Sequence, residues 1–334
     1  PYALAHFDEV LRAQAIVQAY EDVPDARDYA AQLIFGGIPA QGKLPVAIPG
    51  LFSSGIGLST PAGFRMEYTL PEDAGFDGKR LEALDSLLQK AIRDKAFPGC
   101  QVLAARGGKV FLNKSYGYHT YQKEREVQNH HLYDLASITK IAGTLPQVMW
   151  LTGKGNWSID DPLGKFLPEL KGTDKFTVST RDLLTHQAGF KPWIPFHNAT
   201  LTNGKPDSNY YRTQAEPGFE LQVAEGLFAR NDLPDSIFLR NIQTPLQASK
   251  RYLYSDLGYY YLQRIIERYR KARLDALAEQ DFFKPLGAWR AVYNPLQRFP
   301  KEEIVPTEDD MLYRGQLIHG YVHDQGASLM GGVA

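Results

Sequence analysis

Residues 133–151 read YDLASITKIAGTLPQVMWL. The apolar spacing of this stretch predicts a helix over Ser137–Leu151. Pro146 should kink or split that helix, because proline has no N–H to donate and crowds the preceding turn. Ser137 and Lys140 are three positions apart, so on a helix they share one face, with Cβ atoms about 5–6 Å apart. The sequence therefore predicts a lysine amine within reach of a serine hydroxyl.

This serine and lysine form the strongest candidate for chemistry in the chain. A serine hydroxyl is a weak nucleophile at neutral pH and needs a base. A partly buried lysine loses its proton more readily than a solvated one and can act as that base. Ser137 also begins the predicted helix, where the helix dipole favours negative charge. The spacing alone is common, because a capping serine followed by an exposed lysine gives the same pattern.

A second motif, Tyr254-Ser255-Asp256, lies at the start of another predicted helix. A tyrosine at such a turn can relay a proton between nucleophile, lysine and leaving group. Asp256 is placed to anchor the Lys140 ammonium, although a helix cap is the commoner role of such an aspartate. His186, within the THQAG stretch over 185–189, is interpreted as a packed histidine.

Four motifs in a fixed order carry a family resemblance. They are LASITK (135–140), WSIDDPLGKFLPEL (157–170), VSTRDLLTHQAGF (178–190) and YLYSDLGYYYL (252–262). From about residue 73 onward the chain resembles the beta-lactamase-related serine hydrolases, which include class C beta-lactamases, D-Ala-D-Ala carboxypeptidases and esterases. The resemblance implies an α+β fold of the beta-lactamase/transpeptidase type. In that fold an antiparallel sheet flanked by helices lies beside a mainly helical region, with the site between them.

The resemblance also implies roles for individual residues. Ser137 corresponds to the acylated nucleophile, Lys140 to its base and Tyr254 to the tyrosine of a Tyr-x-Asn motif. Asp256 stands where asparagine is usual in class C enzymes, which weakens a beta-lactamase assignment more than a hydrolase assignment. The function expected is acyl transfer on an ester or amide, either a peptidoglycan peptide or a small ester, with no cofactor.

The third motif of this family, Lys-Thr-Gly or His-x-Gly on a strand, is not visible. Residues 319–334 resemble the stretch that comes just before a His-Ala-Gly version. We therefore expect a catalytic domain over 67–334 that is incomplete at its C-terminal end, in a chain clipped at both ends. The missing strand is expected to supply one of the two N–H groups that bind the oxyanion.

The N-terminal segment carries a different resemblance. Residues 15–50, AIVQAYEDVPDARDYAAQLIFGGIPAQGKLPVAIPG, resemble the end of the C-terminal domain of family 3 glycoside hydrolases, and the resemblance covers about residues 5–50. We predict a small α/β fragment of that kind, with a linker, over 1–66. The nucleophilic carboxylate of that family lies in an upstream barrel domain, so no glycosidase residue is assigned.

Residues 37–43 fit a phosphate loop, but Leu44-Pro45 supplies neither the hydroxyl nor the helix such a loop needs.

Periodicity predicts further elements, bounded by glycine, proline and capping residues. These are helices over Glu9–Ala19, Asp25–Phe35, Gly78–Lys95, Arg181–His186 and Tyr254–Lys271, a linker over 55–72, and a hairpin of Gln101–Ala105 with Lys109–Asn113. Segment 190–235 is long, polar and aromatic with little periodicity, which favours a binding wall over a plain connection. Trp193, Phe196 and His197 in this segment are the predicted substrate-binding residues.

Composition excludes several classes of protein. The chain has 334 residues, of which 43% are hydrophobic and 22% charged, a composition typical of globular proteins. Its net charge is -1, so it has no overall positive field that would attract nucleic acid. It contains no apolar run of about 18 residues that could span a membrane. Cys100 is the single cysteine, so no internal disulfide forms. His319, His323 and Asp324 are close in sequence, but the glycines around them argue against a helical metal site.

Two other functions stay open from the sequence. The chain could be a non-catalytic module of the same fold that binds cell-wall peptides, or part of a larger family 3 glycoside hydrolase. The expected partner is a small molecule or a peptidoglycan-derived substrate, with no nucleic acid. A location outside the cytoplasm, periplasmic or at the cell envelope, is implied by the resemblance only.

Overall fold

The computed structural model describes residues 12–61 and 65–330. The chain divides into two compact units, one ending at Asn129 and the other beginning at His130. The domain boundary predicted between residues 66 and 67 separates segments that resemble two different protein families, whereas the division at Asn129 separates two compact units. This division does not test it, and it stays a prediction.

The described residues of the first unit form two α-helices and a three-stranded sheet. Its elements are α1 (Pro24–Ile34), β1 (Glu67–Tyr68), α2 (Gly78–Arg93), β2 (Gly99–Arg106) and β3 (Lys109–Gly117). The strand order is β1-β3-β2, with β3 antiparallel to β2 and parallel to β1. The predicted hairpin is confirmed with longer strands, and α2 begins as predicted after Asp77, whose side chain accepts the Lys79 N–H at 3.0 Å.

The N-terminal predictions had mixed outcomes. Helix α1 is confirmed, with Pro24 in its first turn, where a missing N–H costs nothing. The helix predicted over Glu9–Ala19 is wrong for Ala13–Ala19, which form no helix, and its first residues lie outside the described range. Short helices need a surface on which to bury their apolar face, and residues 13–19 bury no side chain. The predicted linker over 55–72 contains β1, which is too short to show strand alternation.

The second unit is mainly helical with small antiparallel sheets. Its helices are α3 (Leu145–Gly153), α4 (Thr180–Leu184), α5 (Leu233–Gln243), α6 (Leu257–Arg270), α7 (Leu274–Ala278) and α8 (Gln325–Leu329). Its strands are β4 (Leu201–Thr202), β5 (Lys205–Pro206), β6 (Tyr211–Arg212), β7 (Leu221–Ala224), β8 (Leu227–Ala229), β9 (Glu308–Asp310) and β10 (Gln316–Ile318). The sheet β6-β8-β7 and the pairs β4/β5 and β9/β10 are all antiparallel.

Segment 190–235 is more regular than predicted. It contains strands β4 to β8, none longer than four residues, together with a 3₁₀ turn over Phe196–Thr200. Strands of this length present too few alternating positions for a period of two to be read from the sequence. The segment is therefore a small sheet region rather than an irregular loop.

Helix α6 is the centre of the second unit. Its buried face includes Tyr260, Tyr261 and Ile266, each at most 1% exposed. The helix begins at Leu257, three residues after the predicted start, because Tyr254–Asp256 lead into it as a separate irregular segment. A well-packed helix therefore fixes the end of that segment. Among the described residues no helix is both long and apolar enough to cross a bilayer.

The helix predicted over Ser137–Leu151 is interrupted near its proline, as expected. A π-helical turn over Lys140–Thr144 precedes α3, and Pro146 lies in the first turn of α3. In a π turn each N–H bonds to the carbonyl five residues earlier, instead of four as in an α-helix. This change of pairing tolerates the following proline, which has no N–H to donate. The change of helix type falls directly after the serine and lysine of the first motif.

A charged cluster links α3 to α6. Arg270 donates to Asp281 Oδ2 at 2.9 Å and to Gln147 Oε1 at 3.0 Å, and Gln147 also donates to Asp281 at 3.0 Å. The Arg270 guanidinium lies 3.9 Å from the centre of the Trp150 ring. Because Gln147 is fully buried, this cluster holds α3 in a fixed position against α6.

Replacing Asp281 by alanine should destabilise the second unit. The change leaves the Arg270 side chain, only 14% exposed, without its counter-charge, which costs about 3 kcal/mol of unfolding free energy. Urea unfolding followed by circular dichroism measures this loss. Glu225→Ala is the control, because Glu225 pairs with Lys301 at an exposed site and its loss should cost less than about 1 kcal/mol. Equal losses for the two variants would contradict the structural role given to the cluster.

Candidate active site

The turn that carries Ser137 is fixed by its own backbone and by one acidic side chain. Ala136 has a left-handed backbone with φ 45°, and the next residues enter the helix through hydrogen bonds to the carbonyls of Leu135 and Ala136. Asp134 Oδ1 accepts the Ala136 N–H at 2.9 Å, while Asp134 Oδ2 accepts the His323 N–H at 2.8 Å. Asp134 thus ties this turn to the segment before α8. Asp134 is not among the predicted site residues, although aspartate just before a tight turn is a recognisable signal.

Ser137 and Lys140 are in direct contact. Lys140 Nζ donates a hydrogen bond to Ser137 Oγ over 3.0 Å. Ser137 is exposed, whereas the Lys140 side chain is only 3% exposed. An accessible hydroxyl is therefore held by an amine that lies beneath the surface, as nucleophilic activation requires.

Asp256 provides the charge that accompanies the buried amine. Its Oδ1 lies 2.6 Å from Lys140 Nζ, and the Asp256 side chain is 19% exposed. Asp256 occupies the N-cap position of α6 but makes no side-chain cap there, since its carboxylate is directed to Lys140. Pairing offsets part of the cost of taking the amine out of water.

Two aromatic rings complete the surroundings of the amine. Lys140 Nζ lies 5.2 Å from the ring centre of Tyr254 and 5.5 Å from that of Tyr259. Tyr254 is 40% exposed, whereas Tyr259 is buried, and burial raises the pKa of Tyr259 to about 12. Tyr259 therefore stays a neutral phenol near neutral pH and acts as an aromatic wall. Tyr254 is the tyrosine with access to both the amine and solvent.

The Tyr254–Asp256 segment is held by backbone contacts from two other segments. The Asp256 N–H donates to Pro192 O at 3.1 Å, and Ser255 Oγ donates to Lys191 O at 2.6 Å. His186 accepts on the other side, through Nδ1 from the Ser255 N–H at 3.2 Å. The segment is therefore positioned before any substrate arrives.

The three predicted substrate-binding residues lie in different environments. Trp193 directly follows Pro192 and is 42% exposed, so it is close to the Asp256 segment in the chain and accessible. Phe196 is 3% exposed and packs into the core against Tyr260, which leaves it little surface for a substrate. His197 is half-buried between Trp193 and Tyr313, and burial lowers its pKa. The binding roles of Trp193, Phe196 and His197 stay predictions.

The C-terminal histidines make separate contacts. His319 Nε2 lies 2.6 Å from Ile304 O, and His323 Nδ1 lies 3.1 Å from Glu308 Oε2. Asp324 caps α8 by accepting the Ala327 N–H. Across residues 12–61 and 65–330 no group of three potential metal ligands comes together.

Comparison with known proteins gives a consistent picture. Residues 84–307 match the protein family described as Beta-lactamase. A putative D-alanyl-D-alanine carboxypeptidase of Salmonella agona (strain SL483) is 28% identical over 305 residues, covering 82% of this chain and 65% of that protein. A protein of the same description from Salmonella newport (strain SL254) has the same identity and coverage. The chain thus spans slightly less than two thirds of the length of these relatives.

Solved structures support the predicted fold. A class C beta-lactamase superimposes with a TM-score of 0.53 at 18% identity, covering 78% of this chain and 62% of that one. An octameric penicillin-binding protein homologue from Pyrococcus abyssi gives a TM-score of 0.53 at 20% identity, covering 73% and 52%. The predicted α+β fold of the beta-lactamase/transpeptidase type is therefore confirmed. The resemblance of residues 5–50 to family 3 glycoside hydrolases stays a prediction.

The Asp256 carboxylate should be needed to keep Lys140 buried. Asp256→Ala removes the counter-charge and should lower the unfolding free energy by about 3 kcal/mol. Asp256→Asn should lose somewhat less, because the amide oxygen still accepts from Lys140 although the counter-charge is gone. Urea unfolding of the two variants beside the unmodified chain provides the measurement. If Asp256→Ala were as stable as the unmodified chain, the pair would not be what holds the amine.

Proposed function

Since the chain belongs to the beta-lactamase family, we propose that it is a serine hydrolase that works by acyl transfer at Ser137. The observation that carries the proposal is the 3.0 Å contact between the buried Lys140 amine and the exposed Ser137 hydroxyl. This spacing ordinarily arises from a capping serine followed by an exposed lysine, and in that case the lysine amine is not buried. Tyr254 and Asp256 lie against the same amine, which supports a site that acts as one unit.

The first half of the reaction forms an acyl-enzyme. Lys140 first gives up one proton to solvent. Ser137 Oγ then attacks the carbonyl carbon of an ester or amide, and the hydroxyl proton passes to the Lys140 amine. The Asp256 carboxylate stabilises the ammonium that results. When the tetrahedral intermediate collapses, the bond to the leaving alcohol or amine breaks. That leaving group takes a proton from Lys140 through the Tyr254 hydroxyl.

The second half returns the serine. Water attacks the acyl carbonyl, its proton passes to the same base, and the bond between Ser137 Oγ and the acyl carbon breaks. The acid is released and Ser137 recovers its proton. No cofactor takes part in either half.

The Ser137 N–H is our candidate for one donor to the oxyanion. Within the part of the chain that the structure describes, it has no hydrogen-bond acceptor, whereas the neighbouring Ala136 and Ile138 N–H groups are both used. The left-handed Ala136 sets the direction of this peptide. A well-aligned donor of this kind is worth about 10²–10³ in rate.

We further propose a substrate class and a location from the named relatives. Because the similar Salmonella proteins are described as putative D-alanyl-D-alanine carboxypeptidases, a peptide ending in D-Ala-D-Ala is the first candidate substrate. A small ester is the second. A peptidoglycan peptide substrate places the protein outside the cytoplasm, periplasmic or at the cell envelope.

A fluorophosphonate probe should label Ser137. Such a probe phosphonylates activated serines and expels fluoride, so intact-mass spectrometry should show one adduct and peptide mapping should place it on Ser137. Ser137→Ala should remove the adduct, and Lys140→Gln should slow labelling by about 10²–10⁴-fold because the base is lost.

Ser208→Ala is the matched control for that experiment, since Ser208 is exposed and distant in sequence from both motifs. The Ser208→Ala variant should be labelled by the probe at the same rate as the unmodified chain. A correctly folded chain that takes up no probe would contradict the hydrolase proposal. Retained binding of a cell-wall peptide would then favour the non-catalytic module.

D-alanine release should distinguish the two substrate classes. If the peptide is the substrate, incubation with a synthetic pentapeptide ending in D-Ala-D-Ala should liberate free D-alanine, measured by an enzyme-coupled assay. The same peptide ending in L-Ala-L-Ala is the control and should stay intact. Turnover of p-nitrophenyl acetate without any D-alanine release would instead identify a small-ester hydrolase.

A further inference from the structure

We propose that His186 is a positioning residue that holds Tyr254 against Lys140 and that it does so only as a neutral imidazole with its proton on Nε2. This inference rests on the proposed function of the Ser137 site. It assigns to His186 a task beyond the packing role that the sequence suggested.

His186 binds the chain on both sides of Tyr254. The His186 carbonyl accepts the Leu253 N–H at 2.9 Å, and its Nδ1 accepts the Ser255 N–H at 3.2 Å. Between these two bonds the imidazole ring lies on the Tyr254 ring, with centres 4.5 Å apart and an interplanar angle of 38°. One residue therefore fixes the backbone before and after the tyrosine as well as the face of its ring.

These contacts matter because Tyr254 has little else to hold it. Its side chain is 40% exposed, so packing does not set its rotamer. Lys140 lies 5.2 Å from its ring centre, a cation–π contact of modest strength. The remaining support comes from Ser255 and Asp256, whose bonds to Lys191 and Pro192 fix only the residues that follow.

The backbone of His186 is itself unusual. It follows α4 with a left-handed φ of 55°, at a position where helices commonly end on glycine. A side chain at such a position is strained relative to glycine, because its Cβ crowds the following carbonyl oxygen. This strain is offset if the side chain makes a stabilising contact, which here is the hydrogen bond that Nδ1 accepts from the Ser255 N–H. Helix α4 also lies close to α6, since Leu183 packs against Gly258 where a Cβ would approach to 3.1 Å.

The hydrogen bond to Ser255 fixes the protonation state of the imidazole. Nδ1 accepts this hydrogen bond, so it carries no proton. If Nδ1 were protonated, its N–H would point at the Ser255 N–H and the hydrogen bond would be lost. The charged groups near the ring are Lys140 and Asp256, and its aromatic neighbours are Tyr252, Tyr254 and Tyr259. On its own helix, the Asp182 carboxylate is engaged by the Ser179 N–H. Burial and the Lys140 charge lower the pKa of His186, although Asp256 acts in the opposite direction. The neutral form that the hydrogen bond requires is therefore the favoured one.

The decisive experiment is a double-mutant cycle on the labelling rate of Ser137 by the fluorophosphonate probe. His186→Leu should slow labelling by about 10²-fold, because a displacement of about 1 Å at a catalytic group has effects of that size. In the Tyr254→Phe background the same change should cost less than about threefold, since there is no longer a hydroxyl to position. A histidine that only stabilises the fold would slow labelling equally in both backgrounds.

His186→Asn provides the conservative variant. Asparagine tolerates the left-handed backbone, and its Oδ1 can accept the Ser255 N–H in place of Nδ1. It should label at nearly the unmodified rate at neutral pH. The unmodified chain should lose labelling as the pH falls through the lowered pKa of His186, and the asparagine variant should lack that part of the fall.

The outcomes separate the two proposals. If the unmodified chain labels and His186→Leu, shown to be folded by circular dichroism, labels at the same rate, the positioning role is overturned while the hydrolase proposal stands. If the leucine variant does not fold, the asparagine variant decides. An acid limb identical to that of the unmodified chain would then overturn the inference. If the unmodified chain takes up no probe, the hydrolase proposal fails and the positioning role fails with it.

Discussion

The structure of the candidate site depends on one constraint, the burial of the Lys140 amine. A charged amine taken out of water is costly unless it is paired and hydrogen-bonded. The chain meets this requirement from segments more than a hundred residues apart, with Ser137 beside the amine in sequence and Asp256 at the start of α6. The irregular segment before α6 brings Asp256 to this group, the turn after α4 holds that segment in place, and the π turn before α3 begins at Lys140 itself.

The same constraint explains why a helix-cap position is used for another purpose. Aspartate ahead of a helix ordinarily accepts the first N–H groups of that helix. Asp256 gives up that bond for Lys140, and the first N–H of α6, that of Leu257, is accepted instead by Ser255 Oγ at 3.2 Å. The helix can bear this loss because its buried tyrosines and isoleucines anchor it in the core. Stability is thus supplied by the middle of α6, and its first turn is available for chemistry.

The helices of this arrangement could be predicted from periodicity, whereas the roles of the site residues rest on the family resemblance and stay predictions. Helices α2 and α6 show strong apolar stripes, and the spacing of Ser137 and Lys140 is meaningful because a helix repeats every 3.6 residues. The contacts of Asp134 with His323 and of His186 with Ser255 could not be derived in this way. They join segments distant in sequence, and although Asp134 carries a local turn signal, no local pattern indicates which distant residue each partner contacts. The two-residue strands were missed for a related reason, since they are defined by their partners rather than by their own composition.

The bond between Asp134 and His323 has a consequence for the order in which the site assembles. It joins residues 189 positions apart, so the loop-closure entropy is paid only when the later segment has folded onto the earlier one. Contacts of such high sequence separation tend to form late in folding. On a ribosome, the serine turn therefore emerges early but reaches its final geometry only after nearly two hundred further residues have been made. Until then the nascent chain carries the Ser137 hydroxyl in an unfinished setting.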